Sequence, residues 1–386
     1  MLTINPENHL GIFAFIMVLA GASFLLEKTP LGRQLTGTVM VILGAIVAAN
    51  LGLIPHSAPA YDFIFTFLVP MLIPLFLFQA DLRRLWREAS RTTLAFLAAT
   101  IGTVAGVVVA ASLMDLSSLG AGAPLPESDR EAAIVGLFAS TYIGGSVNYA
   151  ALGEMTGLNQ DRSFFSAATA ADNLFSAVYL SIIAVLPGIT RLARLFPKHA
   201  TADAQTATIL EETAAKVTAQ SLCLAIACAA ALVAISDGLV SYLGATGYRY
   251  VILTTLTLVL ATAVPVIRIW LAGAFELGVA LSFAFFAAIA AGANLTAMVS
   301  VAPTLIVVVS ILLFVHLATL LFIGAVTRLT LPELLTASNA AILGATTAPA
   351  MAAAKGWRDQ VTPGVLVGVL GYALGTFIGS ALYNFW

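Results

Sequence analysis

Asp172 is the residue of this chain best placed to do chemistry. It lies in AATAADNLFSAVY, near the middle of an apolar segment over residues 163–187, with Asn173 beside it. A carboxylate at the centre of a membrane-length segment is costly and marks a functional site by default. In low dielectric it holds a proton or binds a cation. That is the chemistry of a coupling-ion site. The plainer alternative is a structural carboxylate tied to a hydrogen-bond donor.

A second group of residues could bind a solute. FASTYIGGSVNYAALGEMTG, residues 138–157, is apolar and interrupted by Gly144-Gly145-Ser146, with Asn148 just beyond. SNAAILGATTAPAMAAAKG, residues 338–356, has the same construction. An offset of 200 positions puts Gly144 on Gly344, Ser146 on Thr346 and Tyr149 on Pro349. The same offset puts Asp172 on Tyr372, so the carboxylate has no twin. Glycine pairs let a helix open. Opened backbone is tolerated at membrane depth only where protein buries it or water reaches it. The freed carbonyls suit cations and the freed N–H groups suit anions. The candidate solute-binding residues are therefore Gly144, Gly145, Ser146, Asn148, Asn339, Gly344, Thr346 and Thr347. The candidate coupling-ion residues are Asp172, Asn173 and Asn148. A small-residue packing face is the competing explanation of the glycines, but it does not account for a second break at the matching place. His316, inside residues 302–326, reads as a satisfied packing residue before a relay. Gly368, Gly371, Gly375 and Gly379 form a small-residue groove for close packing, with the first broken segment as the expected occupant.

The elements that must hold these residues are apolar segments of membrane length. The 386 residues are 60% hydrophobic and 9% charged, too few charges to cover a soluble domain of this size. Twelve apolar segments can be drawn, at 10–26, 36–54, 61–79, 92–114, 131–157, 163–187, 216–236, 249–266, 273–295, 302–326, 333–356 and 362–384. Residues 1–187 read as a first repeat, 188–215 as a hydrophilic connector and 216–386 as a second repeat. The broken segment is fifth in each half. The third segments end alike, with Asp81 opposite Asn294. The expected fold is an all-α polytopic membrane protein of two inverted repeats with two broken helices or re-entrant hairpins. Pro70 and Pro74 are expected to bend the third segment.

Loop charges set the topology. Loop 80–91 carries Arg83, Arg84, Arg87 and Arg91 and is expected to be cytoplasmic. Loop 115–130 carries Asp115, Glu127 and Asp129 against Arg130 and is expected to be external. Arg191, Arg194 and Lys198 put loop 188–215 on the cytoplasmic side. These assignments agree if segments 131–157 and 333–356 enter and return on one side as hairpins. A broken helix that crosses fully is the other arrangement.

Other classes find little support. The net charge of −2 gives no reason to expect nucleic acid. Cys223 and Cys228 have neither metal nor redox spacing. The chain has no H-E-x-x-H, G-x-S-x-G or P-loop motif, so no enzyme activity is expected. The N-terminus lacks the basic region of a signal peptide, so the first segment is expected to stay as a helix.

FASTYIGGSVNYAAL, ADNLFSAVY and FQADLRR resemble the YjcL-like family of bacterial membrane proteins of unassigned function, over essentially the whole length. That family is grouped with the cation:proton antiporter and anion transporter superfamily, which includes bile-acid symporters and Na⁺/H⁺ antiporters. The resemblance implies inverted repeats, broken helices meeting at a central site, and elevator-type alternating access in a homodimer of the bacterial inner membrane. Asp172-Asn173 is similar to the paired acidic and amide residues of Na⁺/H⁺ antiporters, although no Lys faces it from the last helix. The Gly-Gly-Ser tip is similar to the hairpin tips of glutamate- and citrate-type symporters. The expectation is a secondary transporter of a small anionic or zwitterionic organic solute, coupled to Na⁺ or H⁺. Its partners are the lipid bilayer and that solute, and no cofactor is expected apart from a bound Na⁺ where sodium is the coupling ion. An antiporter with no organic substrate and a non-transporting receptor or scaffold are the alternatives.

Overall fold

The computed structural model describes residues 4–26, 28–29, 37–80, 82–198, 216–245, 248–292 and 295–386. The regular secondary structure of these residues is all helical, with no β-strand among them. The first half contains α1 (His9–Leu26), α2 (Gly37–Asn50), α3 (Pro59–Leu77), α4 (Leu82–Glu88), α5 (Ser90–Leu113), α6 (Glu127–Gly144), α7 (Ser146–Thr156) and α8 (Arg162–Val185). The second contains α9 (Ala219–Leu243), α10 (Arg249–Ala263), α11 (Ala274–Ala291), α12 (Leu295–Thr327), α13 (Leu331–Leu343), α14 (Thr347–Ala354) and α15 (Val361–Phe385). Eight helices among the described residues are long and apolar enough to cross a membrane, and α2 and α10 hold shorter apolar stretches. The twelve segments drawn on the sequence are thus not twelve full-length spans. Asp81 and Asn294, and the connector from residue 199 to 215, lie outside the described residues.

Apolar side chains at 68% (Leu25), 58% (Ile235) and 75% (Phe314) exposure would be untenable in water over so many helices. In a bilayer they face lipid. The third segment is distorted where its prolines predicted a bend. Ile64–Leu68 is π-helical, and Pro74 lies inside the helical stretch that follows.

The helices pack in two groups. In one, α2 and α3 pack on α11, and α9 and α10 pack on α3. In the other, α5 and α8 pack on α12, α6 on α15, and α13 on α5. The α5–α12 crossing is close because Gly102 and Gly106 face backbone. A side-chain carbon on Gly102 would lie 2.7 Å from the His316 carbonyl oxygen, and one on Gly106 2.5 Å from that of Leu312. The two groups correspond to segments 1–3 with 7–9 and segments 4–6 with 10–12.

A candidate solute and ion site where two hairpin tips meet

The two glycine breaks have the same backbone geometry. Gly145 has φ 71° and ψ −173°, and Gly344 has φ 94° and ψ −173°. An L side chain is strained at such a φ, so the position demands glycine. Each break ends one helix and lets the next start in a new direction.

The glycine face of α15 reveals that direction. A side-chain carbon on Gly379 would lie 2.8 Å from the Gly136 carbonyl oxygen and 3.2 Å from Leu152 Cγ. One on Gly375 would lie 2.6 Å from Asn148 Nδ2 and 2.8 Å from the Ser140 carbonyl oxygen. One on Gly371 would lie 2.6 Å from the Ile143 carbonyl oxygen. Residues 136 and 152 therefore share one level of α15, residues 140 and 148 the next, and the break lies above both. α6 and α7 form a hairpin folded about Gly144-Gly145. The second break does the same from the other end. Gly364 faces both Thr336 and Ala348-Pro349, while Gly368 faces Ala345 at the tip.

The roots of the hairpins lie at opposite ends of α5. The first hairpin opens beside the loop that follows α5, where the Gly122 N–H donates to Asp161 Oδ2 at 2.9 Å. The second opens beside the start of α5. There Arg91 Nε and Nη2 donate to Glu333 at 2.6 and 3.1 Å, and Thr92 donates to Gln360 at 2.8 Å. Both broken segments fold back on themselves, so of the two arrangements read from the sequence the hairpin describes their backbone. The last helix receives both hairpins, where the sequence pointed only to the first.

Tyr372 lies between the tips. A side-chain carbon on Gly145 would stand 3.9 Å from its ring, and one on Gly344 3.5 Å from its hydroxyl. On its other side the ring meets Phe76 of α3 at 5.1 Å and Phe275 of α11 at 6.4 Å. Tyr372 therefore joins both breaks to the other helix group. The offset of 200 had flagged this position only as the missing twin of Asp172.

Most of the polar candidates brace the tips. Asn148 Nδ2 donates to the Gly144 carbonyl at 2.9 Å, and its Oδ1 accepts from the Thr376 hydroxyl. In the second hairpin Thr347 donates to Asn339 Oδ1 at 2.6 Å, and Asn339 Nδ2 reaches Met351 Sδ at 3.3 Å. Asn173 Nδ2 donates to the Thr169 carbonyl at 2.8 Å. Ser146 is half-buried at the start of α7, and Thr346 is exposed at the second tip. Asp172 is half-buried as a residue, and its Oδ1 is enclosed without a hydrogen-bond partner.

His316 is fully buried, and both ring nitrogens are bound. Thr103 lies 2.8 Å from Nδ1 and directs its one proton to the Tyr142 and Ala99 carbonyls, so Nδ1–H donates to it. Nε2 then accepts from Ser338 at 2.9 Å, and Ser338 accepts from Tyr179 at 2.6 Å. The chain ties α5, α8, α12 and α13 together with every member satisfied, which supports the packing role. His316→Phe should orphan Thr103 and Ser338 and lower stability by about 2 kcal/mol in denaturant unfolding.

A family model described as "Protein of unknown function (DUF819)" matches residues 14–385. The chain belongs to this family. It is also 32% identical over 398 residues to "Uncharacterized membrane protein YjcL" of Bacillus subtilis (strain 168), covering 99% of this chain and 98% of that protein. The resemblance read from FASTYIGGSVNYAAL and ADNLFSAVY is thereby borne out at family level. The chain is a multi-pass membrane protein of an uncharacterised family.

Proposed function

We propose that the chain is a secondary active transporter of a small anionic or zwitterionic organic solute, driven by Na⁺ or H⁺. The observation that carries this reading is the meeting of two hairpin tips, rooted at opposite ends of α5, on either side of Tyr372. Such a centre can be reached from either membrane face in turn, one hairpin opening while the other stays closed. The solute lies at the tips. The N–H groups of Ser146 and Val147 at the start of α7 and of Thr347 at the start of α14 can bind its anionic group, whereas those of Asn148 and Ala348 already donate to the Gly145 and Gly344 carbonyls. Asp172, on the helix after the first hairpin, binds the coupling ion. α5–α8 and α12–α15 move as a unit against α1–α3 and α9–α11, and the Tyr372–Phe76 contact breaks and re-forms in each cycle.

The test is uptake by proteoliposomes of the purified chain, screened with small organic anions and zwitterions under Na⁺ and pH gradients. A solute accumulated only with a gradient is the expected result. Asp172→Asn should cut that accumulation at least about tenfold, since it removes the ion's counter-charge. Gradient-driven uptake that Asp172→Asn leaves unchanged would remove the role given to Asp172. Gradient-driven pH change with no solute present would favour an ion antiporter.

A further inference from the structure

Two buried polar atoms without hydrogen-bond partners belong together. They are Asp172 Oδ1 on α8 and the Tyr142 hydroxyl on α6, and the two groups face each other. Tyr142 is 0% exposed and stands three residues before the Gly145 turn. Buried polar atoms are nearly always bonded, and a phenol and a carboxylate that interact without closing to hydrogen-bond distance leave room for a ligand between them.

Apart from each other, the polar neighbours among the described residues are bound elsewhere. The Tyr149 hydroxyl, which also feels the Asp172 charge, donates to the Phe165 carbonyl at 2.6 Å. Asn148 and Asn173 are used by Gly144, Thr376 and Thr169. Tyr179 of α8 and His316 of α12 are joined through Ser338, and Glu333 of α13 is held by Arg91. α2 has no titratable residue, and Glu276 lies in the first turn of α11. No Lys or Arg among the described residues acts on Asp172. What remains is one carboxylate oxygen, one phenol oxygen and no internal counter-charge. Oxygen ligands with a single net negative charge suit a hard monovalent cation.

We propose that Tyr142 and Asp172 together form a site for one monovalent cation, a proton or Na⁺. The carboxylate supplies the charge and the phenol oxygen the second contact. The two amides picked out by sequence brace the backbone beside the site. Its use in coupling rests on the transport reading above, whereas cation binding does not require transport.

The test uses the purified full-length chain in detergent and follows the midpoint of thermal unfolding. NaCl is exchanged for choline chloride at fixed pH, and pH is varied in choline buffer. The wild type should be stabilised in one arm, and Asp172→Asn should abolish that response. Tyr142→Phe should need about tenfold more of the same cation, with its midpoint in cation-free or alkaline buffer unchanged. A response to Na⁺ assigns sodium, and one to pH alone that Asp172→Asn removes assigns the proton. Should Tyr142→Phe not fold, cation-induced infrared difference spectra of the wild type are expected to perturb carboxylate and tyrosine bands together. Wild-type cation dependence in Tyr142→Phe, no response in either arm, or spectra without tyrosine bands would overturn the proposal. None of these results bears on solute uptake, so the transport reading would still be tested by the proteoliposomes.

Discussion

Gly144→Ala should destabilise the protein by more than about 3 kcal/mol, or prevent its accumulation in the membrane. The new methyl group would overlap Asn148 Nδ2 and the Gly371 carbonyl oxygen. Neither can yield freely. Asn148 is bound to the Gly144 carbonyl and to Thr376, and Gly371 belongs to the backbone of α15. The hairpin would have to lift from the groove and lose its contacts at Gly375 and Gly379 as well. Gly21→Ala provides the control. Gly21 is an exposed residue of α1 with no atom within 4 Å of the added carbon. Alanine there should raise stability by up to about 1 kcal/mol through helix propensity alone. Denaturant unfolding of both variants in detergent would check the contrast. Equal effects would show that α15 does not grip the first hairpin as described.

The same contrast separates what the sequence makes legible from what it does not. The breaks were readable because glycine pairs inside apolar runs have few other uses. Their hairpin form was readable because Arg83, Arg84, Arg87 and Arg91 bias one loop while Asp115, Glu127 and Asp129 bias the next. The groove on α15 was readable as spacing, but small residues do not say how many partners they admit. Tyr372 was not legible as a central residue. An aromatic in the middle of an apolar helix is ordinary core, and its importance comes from residues 145 and 344, far away in the chain. Tyr142 was hidden in the same way inside the very stretch that drew attention. Asn148, Asn339 and Thr347 were visible as polar groups, but sequence cannot say whether an amide faces a ligand or its own turn.

Arg91→Ala is expected to cost about 2–3 kcal/mol, most of it through the partner left behind. Glu333 is buried at the root of the second hairpin, its side chain 8% exposed while that of Arg91 is 57% exposed. Arg91 contacts both carboxylate oxygens and also donates to the Arg328 carbonyl at 3.1 Å. Glu333 Oε2 in turn accepts from the Thr330 N–H at 2.8 Å and closes the first turn of α13. Removing the guanidinium leaves a buried charge with a single backbone donor. The solvent on the Arg91 side keeps the cost below that of a fully enclosed pair. Adding Glu333→Gln to Arg91→Ala should recover at least about 1 kcal/mol, because the neutral amide can still accept from Thr330 without an unpaired charge. Glu333→Gln alone leaves Arg91 in water and should be the mildest of the three. The order of stabilities, Glu333→Gln above the double variant above Arg91→Ala, is what a double-mutant cycle in detergent would read. If the double variant were less stable than Arg91→Ala, the Glu333 carboxylate would be stabilising the start of α13 through Thr330 even without Arg91, and an unpaired buried charge would not explain the loss.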